Sequence, residues 1–210
     1  MTQANIEVRE RVPSQDRVAV RVVDSDVHPV PRAGRLEEFY PEPYRSKYFL
    51  SHPVAGTITY DAPDFAYAYA MRVDSFPEKG GFPGSDPDTL FKQLIMGAGS
   101  DICILEPGLR QCRTPEASSA ACVATNLWLD ADWLSSEVNW HERFRGSISA
   151  AAEDPLAAAR EIEQWAGHPY MAQILIRAEP RPAWGDPMYD PVWAAAVKHD
   201  IPVACHLSRG

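Results

Sequence analysis

The pattern of apolar and polar positions changes near residue 95, and from there on short apolar runs alternate with segments of helical periodicity. The apolar runs are bounded by proline and polar residues, which is typical of buried strands. Two of the intervening segments begin with Asp-Pro, a combination that favours the first turn of a helix. The predicted strands in this part cover residues 100–107, 143–152, 171–178 and 201–208, and the predicted helices cover 114–136, 154–167 and 190–200.

Strands and helices that alternate every ~30 residues are typical of βαβ units with right-handed crossovers in a parallel sheet. An earlier apolar run over residues 17–28 adds a first strand, which gives five predicted strands. A complete eight-fold barrel takes roughly 250 residues. The pattern therefore predicts an α/β fold, a (β/α)8 TIM barrel of which about five units are present, as the N-terminal part of a longer barrel. An open, doubly wound sheet of five strands is the alternative.

A long connection separates the first two predicted strands. It runs from residue 29 to about residue 85 and is rich in Pro, Tyr, Phe and Gly. Connections of this length are uncommon in compact domains unless they carry a function. We expect residues 29–85 to form an irregular insert or lid within a single domain of residues 1–210.

The net charge of the chain indicates which kinds of binding partner to expect. The chain has 20 Lys and Arg against 29 Asp and Glu, a net charge of −9, and no cluster of basic residues. This composition argues against nucleic acid or a membrane and favours a small-molecule substrate. No apolar run approaches the roughly 20 residues of a membrane span, and the first residues lack a signal-peptide pattern, so we expect a cytoplasmic protein. Four cysteines without a C-x-x-C pair are interpreted as reduced, mostly packing residues.

The candidate metal-binding residues lie where the first and fifth predicted strands end. Asp24, Asp26 and His28 occupy alternate positions, which a regular strand would turn to one face. Such a group is costly to bury unless a cation lies within it. His206 ends the fifth strand, and a barrel brings strands one and five to one mouth. Two imidazoles and a carboxylate suit Zn²⁺, Mn²⁺ or Fe²⁺, so we predict a divalent metal, preferably Zn²⁺, at Asp26, His28 and His206.

Three segments, "DSDVHP", "LDADWLSSEVNWHERFRGSISAAAEDPLAAAREIEQ" and "DPVWAAAVKHDIPVACH", resemble the amidohydrolase superfamily in order and spacing. The resemblance is narrower to the amidohydrolase-related branch that contains aminocarboxymuconate-semialdehyde decarboxylase and γ-resorcylate decarboxylase, and it covers most of residues 18–210. It implies that Asp26 and His28 are the first two metal ligands, that His206 is the strand-five ligand and that Asp24 supports them. Asp26 departs from the H-x-H form of the family and is nearer to the E-x-H form of the decarboxylases.

The resemblance also implies a strand-six His and a strand-eight Asp, which would lie beyond Gly210. We therefore expect the main catalytic residues beyond Gly210 and do not expect these 210 residues to be catalytically complete. Two further residues are candidates for the site. Glu106, at the end of the second strand, is either a loop anchor or a group that supports the metal ligands. Arg177, at the end of the fourth, either binds a substrate carboxylate or forms an ion pair.

Three functions remain open at this stage. The first is a metal-dependent hydrolase that attacks a small organic substrate with metal-activated water. The second is a metal-dependent decarboxylase of a small aromatic or unsaturated acid. The third is an inactive half-barrel that only interacts with other chains. Because an unpaired fifth strand would expose backbone groups and apolar surface, we also expect a homo-oligomer.

Overall fold

A computed structural model of the chain describes residues 20–47, 72–108, 112 and 114–206. These residues contain one sheet of five parallel strands, in the order β1-β2-β3-β4-β5. Every crossover advances the sheet in the same direction, whereas a doubly wound sheet reverses its order part-way. The doubly wound alternative is therefore wrong. The strands are β1 (Val23–Val27), β2 (Ile102–Leu105), β3 (Phe144–Ser149), β4 (Met171–Arg177) and β5 (Val203–His206), each within its predicted range.

The sheet curls strongly from its first strand to its last. In a flat sheet, four steps of about 4.8 Å would hold side chains on β1 and β5 about 19 Å apart and parallel to one another. The ring centroids of His28, which follows β1, and His206, the last residue of β5, are 4.9 Å apart. The carboxyl ends of the outer strands therefore face each other across one opening, as in a barrel.

Five α-helices accompany the strands in the described part of the chain, and the local sequence explains where the longer ones begin. Thr114 accepts a hydrogen bond from the Ala117 N–H at the start of the third helix, and Asp154 accepts one from Ala157 at the start of the fourth. A proline follows each cap, as the Asp-Pro and Thr-Pro signals predict. The helices are α1 (Tyr44–Lys47), α2 (Pro87–Leu90), α3 (Pro115–Leu129), α4 (Pro155–Trp165) and α5 (Asp190–Lys198).

Short segments of other helix types extend this set. A π-helix, Asp130–Leu134, continues α3 close to the predicted end of that helix. A 3-10 turn, Pro187–Tyr189, precedes α5 and is capped by Asp186. None of the helices among the described residues is long and apolar enough to cross a membrane.

The core lies between the sheet and helices α3 to α5. Ile148, Ile174 and Ile176 pack on this side, with Trp128 and Phe144 among their partners in the same cluster. The residues that alternate with them point to the concave face, where polar side chains are frequent. Of the cysteines, Cys103, Cys112 and Cys122 are buried as predicted, but Cys205 is exposed.

The predicted insert is described at its two ends only, since residues 48–71 lie outside the described part. Its first arm carries a 3-10 turn, Leu36–Phe39, and α1, and its second arm carries another, Val73–Ser75. Helix α2 and the π-helix Phe91–Gly97 that follows it were not predicted, although Asp86 and Pro87 repeat the Asp-Pro signal. A role of the insert as a lid stays a prediction.

Candidate metal centre

Three predicted metal ligands converge at the opening of the curled sheet. The Asp26 Oδ1 atom lies 3.2 Å from Nε2 of His28 and 3.4 Å from Nε2 of His206. One ligand atom from each of the three residues lies within 4.8 Å of the others. In the part of the chain that the structure describes, no other group of three His, Cys, Asp or Glu side chains converges in this way.

A bulge in β1 brings Asp26 and His28 to the concave face. The register pairs Asp24 with Cys103 and Val27 with Leu105, so three residue steps along β1 lie opposite two steps along β2. Cys103, Leu105 and Val27 belong to the core on the convex side. Asp24 therefore points toward the helix side, whereas Asp26 and His28 point into the opening. The expectation that all three polar residues share a face is wrong, because the extra residue breaks the alternation.

Asp24 remains close to Asp26 through the backbone. Its carboxylate accepts a weak hydrogen bond from the Asp26 N–H at 3.4 Å. On the other side, burial raises the pKa of the Cys103 thiol to about 12, and the nearby Asp24 charge adds to this shift. A supporting role of Asp24 for the metal ligands stays a prediction.

The hydrogen bonding of His28 decides which ring nitrogen is available. Its Nδ1 atom lies 3.0 Å from the main-chain oxygen of Glu106. Because a carbonyl only accepts, Nδ1 carries the proton, and in a neutral imidazole Nε2 then has a free lone pair. This lone pair points at a carboxylate oxygen that His206 also faces. Such an arrangement needs either a proton on each Nε2 or one cation shared by the three groups.

The spacing of the three groups fits a divalent metal ion. Ligand atoms bound about 2.1 Å from one ion lie about 3.0–3.4 Å apart in octahedral or tetrahedral coordination. The two distances from Asp26 Oδ1 fall within this span. The side chains of Asp26 and His28 are 70% and 49% exposed, so an ion and a water or substrate could reach them from the opening. Three protein ligands with a free position are typical of catalytic metal sites.

Glu106 lies directly behind this cluster. It follows β2, and its N–H donates to the Val27 carbonyl at 2.7 Å, which ties β2 to the end of β1. Its carboxyl group is only 8% exposed, and Oε2 lies 3.8 Å from Nε2 of His206. Burial raises the pKa of this carboxyl above its ordinary value, against the opposing effects of Gln173 and His206. The side chain is thus a buried carboxyl group with one oxygen toward His206.

Sequence reasoning missed two residues that hold Glu106 in place. The Gln173 amide donates to Glu106 Oε1 at 2.8 Å and to the Ser147 hydroxyl at 3.0 Å. Gln173 and Ser147 are paired in register on β4 and β3 and face the opening. A polar residue in the middle of the apolar run "MAQILIR" was the available signal, since only an inward-facing position explains it.

Arg177 lies at the end of β4, beside a separate cavity. Its guanidinium forms an ion pair with Glu153 at 3.3 Å and donates to the Glu179 carbonyl at 3.2 Å. The ion pair corresponds to one of the two roles weighed for this residue, and binding of a substrate carboxylate stays a prediction. The cavity has a volume of about 230 Å³ and is lined by Ala152, Glu153, Arg177, Glu179, Pro180, Arg181 and Tyr189.

A match to a protein-family model shows which family the chain belongs to. The family model described as "Amidohydrolase" matches residues 23–209. The chain belongs to the amidohydrolase family. The match includes the strands that carry Asp26, His28 and His206, and it confirms the family that the sequence motifs suggested. No curated protein matches this amidohydrolase in sequence.

Solved structures agree with the amidohydrolase at the level of the fold. A 5-carboxyvanillate decarboxylase from Novosphingobium aromaticivorans, solved with manganese and 4-hydroxy-3-methoxy-5-nitrobenzoic acid, superposes with a TM-score of 0.60 and 16% identity, over 90% of this chain and 50% of its own. A 2,6-dihydroxybenzoate decarboxylase from Rhizobium gives a TM-score of 0.51 and 16% identity, over 89% and 49%. The amidohydrolase thus spans about half the length of these structures, and its sheet is a partial TIM barrel.

Proposed function

We propose that this amidohydrolase is a metal-dependent enzyme that hydrolyses a small organic substrate with metal-activated water. The observation that carries the proposal is the convergence of Asp26, His28 and His206 on one position. Zn²⁺ is the proposed ion, because two imidazole nitrogens and one carboxylate form a common first shell for it. When bound, such an ion polarises a substrate oxygen and lowers the pKa of water toward neutrality.

The residues of this chain would hold and orient the ion and exclude water from one side of it. Asp26 and the two histidines supply the ligand atoms. The main-chain oxygen of Glu106 fixes the protonated nitrogen of His28, so that Nε2 faces the ion. The Glu106 carboxyl, held by Gln173, closes the inner side of the site. We propose Arg177, on the neighbouring strand, as a group that could exchange Glu153 for a substrate carboxylate.

Decarboxylation of a small aromatic or unsaturated acid is the second candidate function. The solved structures described above favour it, because two of them are decarboxylases of hydroxybenzoate-type acids and one was solved with manganese. The same three ligands could hold an ion that binds a substrate carboxylate or phenolate. Mn²⁺ is therefore the first alternative to Zn²⁺.

Metal titration of the purified chain tests the site. Stripped of metal, the protein should bind one Zn²⁺ or Mn²⁺, and Asp26→Asn, His28→Gln and His206→Gln should each weaken binding about 100-fold or more. His199→Gln is the matched control, since its Nε2 also faces a carboxylate, Glu163, at 2.6 Å but without a third ligand. Wild-type affinity in Asp26→Asn, or no binding by the unaltered chain, would overturn the proposal.

The reaction class needs a separate assay. Incubation of the metal-loaded protein with hydroxybenzoic acids and with small esters, lactones and amides distinguishes the two candidates, because only decarboxylation releases CO₂. CO₂ release without hydrolysis would replace the first candidate by the second. Neither activity, in a chain that binds metal at Asp26, would agree both with the interaction-only alternative and with the expectation that the reaction needs further catalytic residues.

A further inference from the structure

We propose that Gly84 is a positioning residue for the metal ligand His28, because the turn around it lies directly against the main-chain oxygen of His28. This inference rests on the proposed metal site. The turn belongs to the second arm of the insert, which returns to the sheet just before α2. It therefore links a segment far from the ligands in sequence to the exact position of one of them.

The contact requires the absence of a side chain at residue 84. Gly84 has a φ of +81°, and a Cβ atom there would lie 2.4 Å from the main-chain oxygen of His28 and 3.5 Å from Cγ2 of Val30. The first distance is far below van der Waals contact, and the obstructing atom belongs to the backbone. A side chain at this position would therefore displace either the turn or the end of β1.

The turn is fastened to the segment after His28, so it cannot easily move away. The Val30 N–H donates to the Gly84 carbonyl at 2.8 Å. The Arg32 guanidinium donates to the Ser85 carbonyl at 3.3 Å and forms an ion pair with the buried Asp86 carboxylate at 2.7 Å. We call these residues, Val30, Arg32 and 84–86, the Gly84 clamp. A displacement would therefore be transmitted to the main chain of His28, which lies between the Val27 carbonyl, bound by the Glu106 N–H, and the Val30 N–H, bound to Gly84.

The effect of such a displacement would reach the metal through the imidazole ring. The ring of His28 is fixed by the Glu106 carbonyl, and its Nε2 lies 3.2 Å from Asp26 Oδ1. Metal sites need their ligand atoms within about 0.5 Å of the productive geometry. A shift of the His28 backbone by a few tenths of an ångström, with the ring held at Nδ1, would tilt Nε2 away from the ion.

Two alanine variants in the same segment distinguish the positioning of His28 from the backbone strain that any side chain causes at a positive φ. Gly84→Ala introduces the close contact, whereas Gly80→Ala introduces the same strain at a φ of +84° with nothing within 4 Å of the new Cβ. Titration with Zn²⁺ and with Mn²⁺ should show affinity about 10- to 100-fold lower in Gly84→Ala and within about twofold of wild type in Gly80→Ala. Thermal unfolding without metal should give a lower midpoint for Gly84→Ala, because the close contact adds to the strain that both variants share, and metal affinities are therefore compared at a temperature where both variants are fully folded. Equal metal affinities of the two variants would overturn the positioning role.

A second pair of variants loosens the clamp without adding atoms, in case Gly84→Ala does not fold. Arg32→Gln removes the ion pair with Asp86, and Arg72→Gln removes an exposed pair with Asp74 in the same insert. We expect Arg32→Gln to weaken metal binding about threefold or more and Arg72→Gln to leave it unchanged. If the two arginine variants bind alike, the clamp does not position His28.

The two proposals can fail separately. If the unaltered chain binds neither ion, the proposed function fails and the positioning role fails with it. If the chain binds an ion, Asp26→Asn abolishes binding and Gly84→Ala behaves like Gly80→Ala, only the positioning role is overturned.

Discussion

Among the described residues, we compare two clusters that combine a carboxyl group with nitrogen atoms, one whose hydrogen bonds all end within the cluster and one that is open to solvent. In the first, on the helix side of the sheet, the Asn126 amide donates to the Ser149 carbonyl and to Glu161 Oε1, and it accepts from the Ser149 N–H. The Trp165 indole donates to the same Glu161 oxygen at 2.7 Å. All four residues are buried. The hydrogen bonds of Asn126 connect α3 to β3 and to α4, and the Trp165 bond lies within α4.

The second cluster, the candidate metal centre, has the same kinds of atoms and a different arrangement. Two imidazole Nε2 atoms face one carboxylate oxygen, and the side chains are open to solvent on one side. The comparison shows that polar groups alone do not identify a functional site. A cluster whose donors and acceptors match internally stabilises the fold, whereas a cluster that needs an added cation is available for a ligand.

The largest expected effect is a loss of stability when the first cluster is broken. Asn126→Ala leaves the buried Ser149 N–H and carbonyl without their side-chain partner and leaves Glu161 Oε1 with the Trp165 indole as its remaining donor, which should lower the free energy of unfolding by about 3–5 kcal/mol. Urea denaturation followed by circular dichroism measures this loss. The variant should bind metal as the wild type does wherever it is folded. A loss below about 1 kcal/mol would show that the cluster is not a structural element.

The second effect concerns the metal centre alone. A metal at about 100 times its dissociation constant should stabilise the wild-type chain by about 2.7 kcal/mol. Asp26→Asn should show almost none of this stabilisation, although without metal its stability should stay near that of the wild type, since Asp26 is exposed. Denaturation with and without Zn²⁺ measures both quantities. Equal stabilisation of the two proteins by Zn²⁺ would contradict the assigned ligand.

A smaller loss of stability is expected when only the Trp165 donor is removed from the buried cluster. Trp165→Phe keeps most of the apolar volume but removes the donor to Glu161, and we expect a loss of about 1–2 kcal/mol in the free energy of unfolding. Trp193→Phe is a useful control, because that indole donates to the Trp184 carbonyl at a half-buried position and should cost less. Equal losses in both variants would indicate that packing, rather than the bond to Glu161, dominates.

The smallest expected effect is a pH dependence of stability that arises from Asp86 in the Gly84 clamp. Burial raises the pKa of Asp86, but hydrogen bonds from Thr89 and the charge of Arg32 outweigh it, so the pKa is lowered from its ordinary 3.8. A lowered pKa in the folded state stabilises the protein above pH 3.8, and this stabilisation is lost as the pH falls through the folded-state value. Asp86→Asn keeps a capping oxygen and removes the charge. Its stability relative to wild type should therefore be lower at pH 7 than at pH 3, and parallel curves would contradict the assignment.

Local signals in the sequence predicted most of the secondary structure. Thr114 and Asp154, each followed by proline, marked the first turns of α3 and α4 because capping depends on residues within one helical turn. The strand positions followed from short apolar runs for the same reason. The same Asp-Pro signal at Asp86 was available for α2, but it lay next to a segment interpreted as irregular, and the helix was not predicted.

The candidate ligands could be named from the sequence, because Asp26, His28 and His206 lie at strand ends, and the structure brings these three side chains together, but their binding of a metal stays a prediction. The contacts around them could not be predicted. The link from Gln173 through Glu106 to His206 joins β4, β2 and β5, and it depends on which way each side chain faces after the sheet has curled. Nothing within one strand specifies that pairing.

The sequence by itself determined the βαβ order, the helix starts and the ends of the strands where polar residues occur, since these depend on neighbours a few positions apart. The barrel prediction already brought strands one and five to one opening, but the tertiary structure alone decided three other features: the 4.9 Å separation of the His28 and His206 rings, the bulge that turns Asp24 away and the approach of Gly84 to His28. Register, curvature and close backbone contact arise from the packing of distant segments. A pattern with a period of two or 3.6 residues carries no information about them.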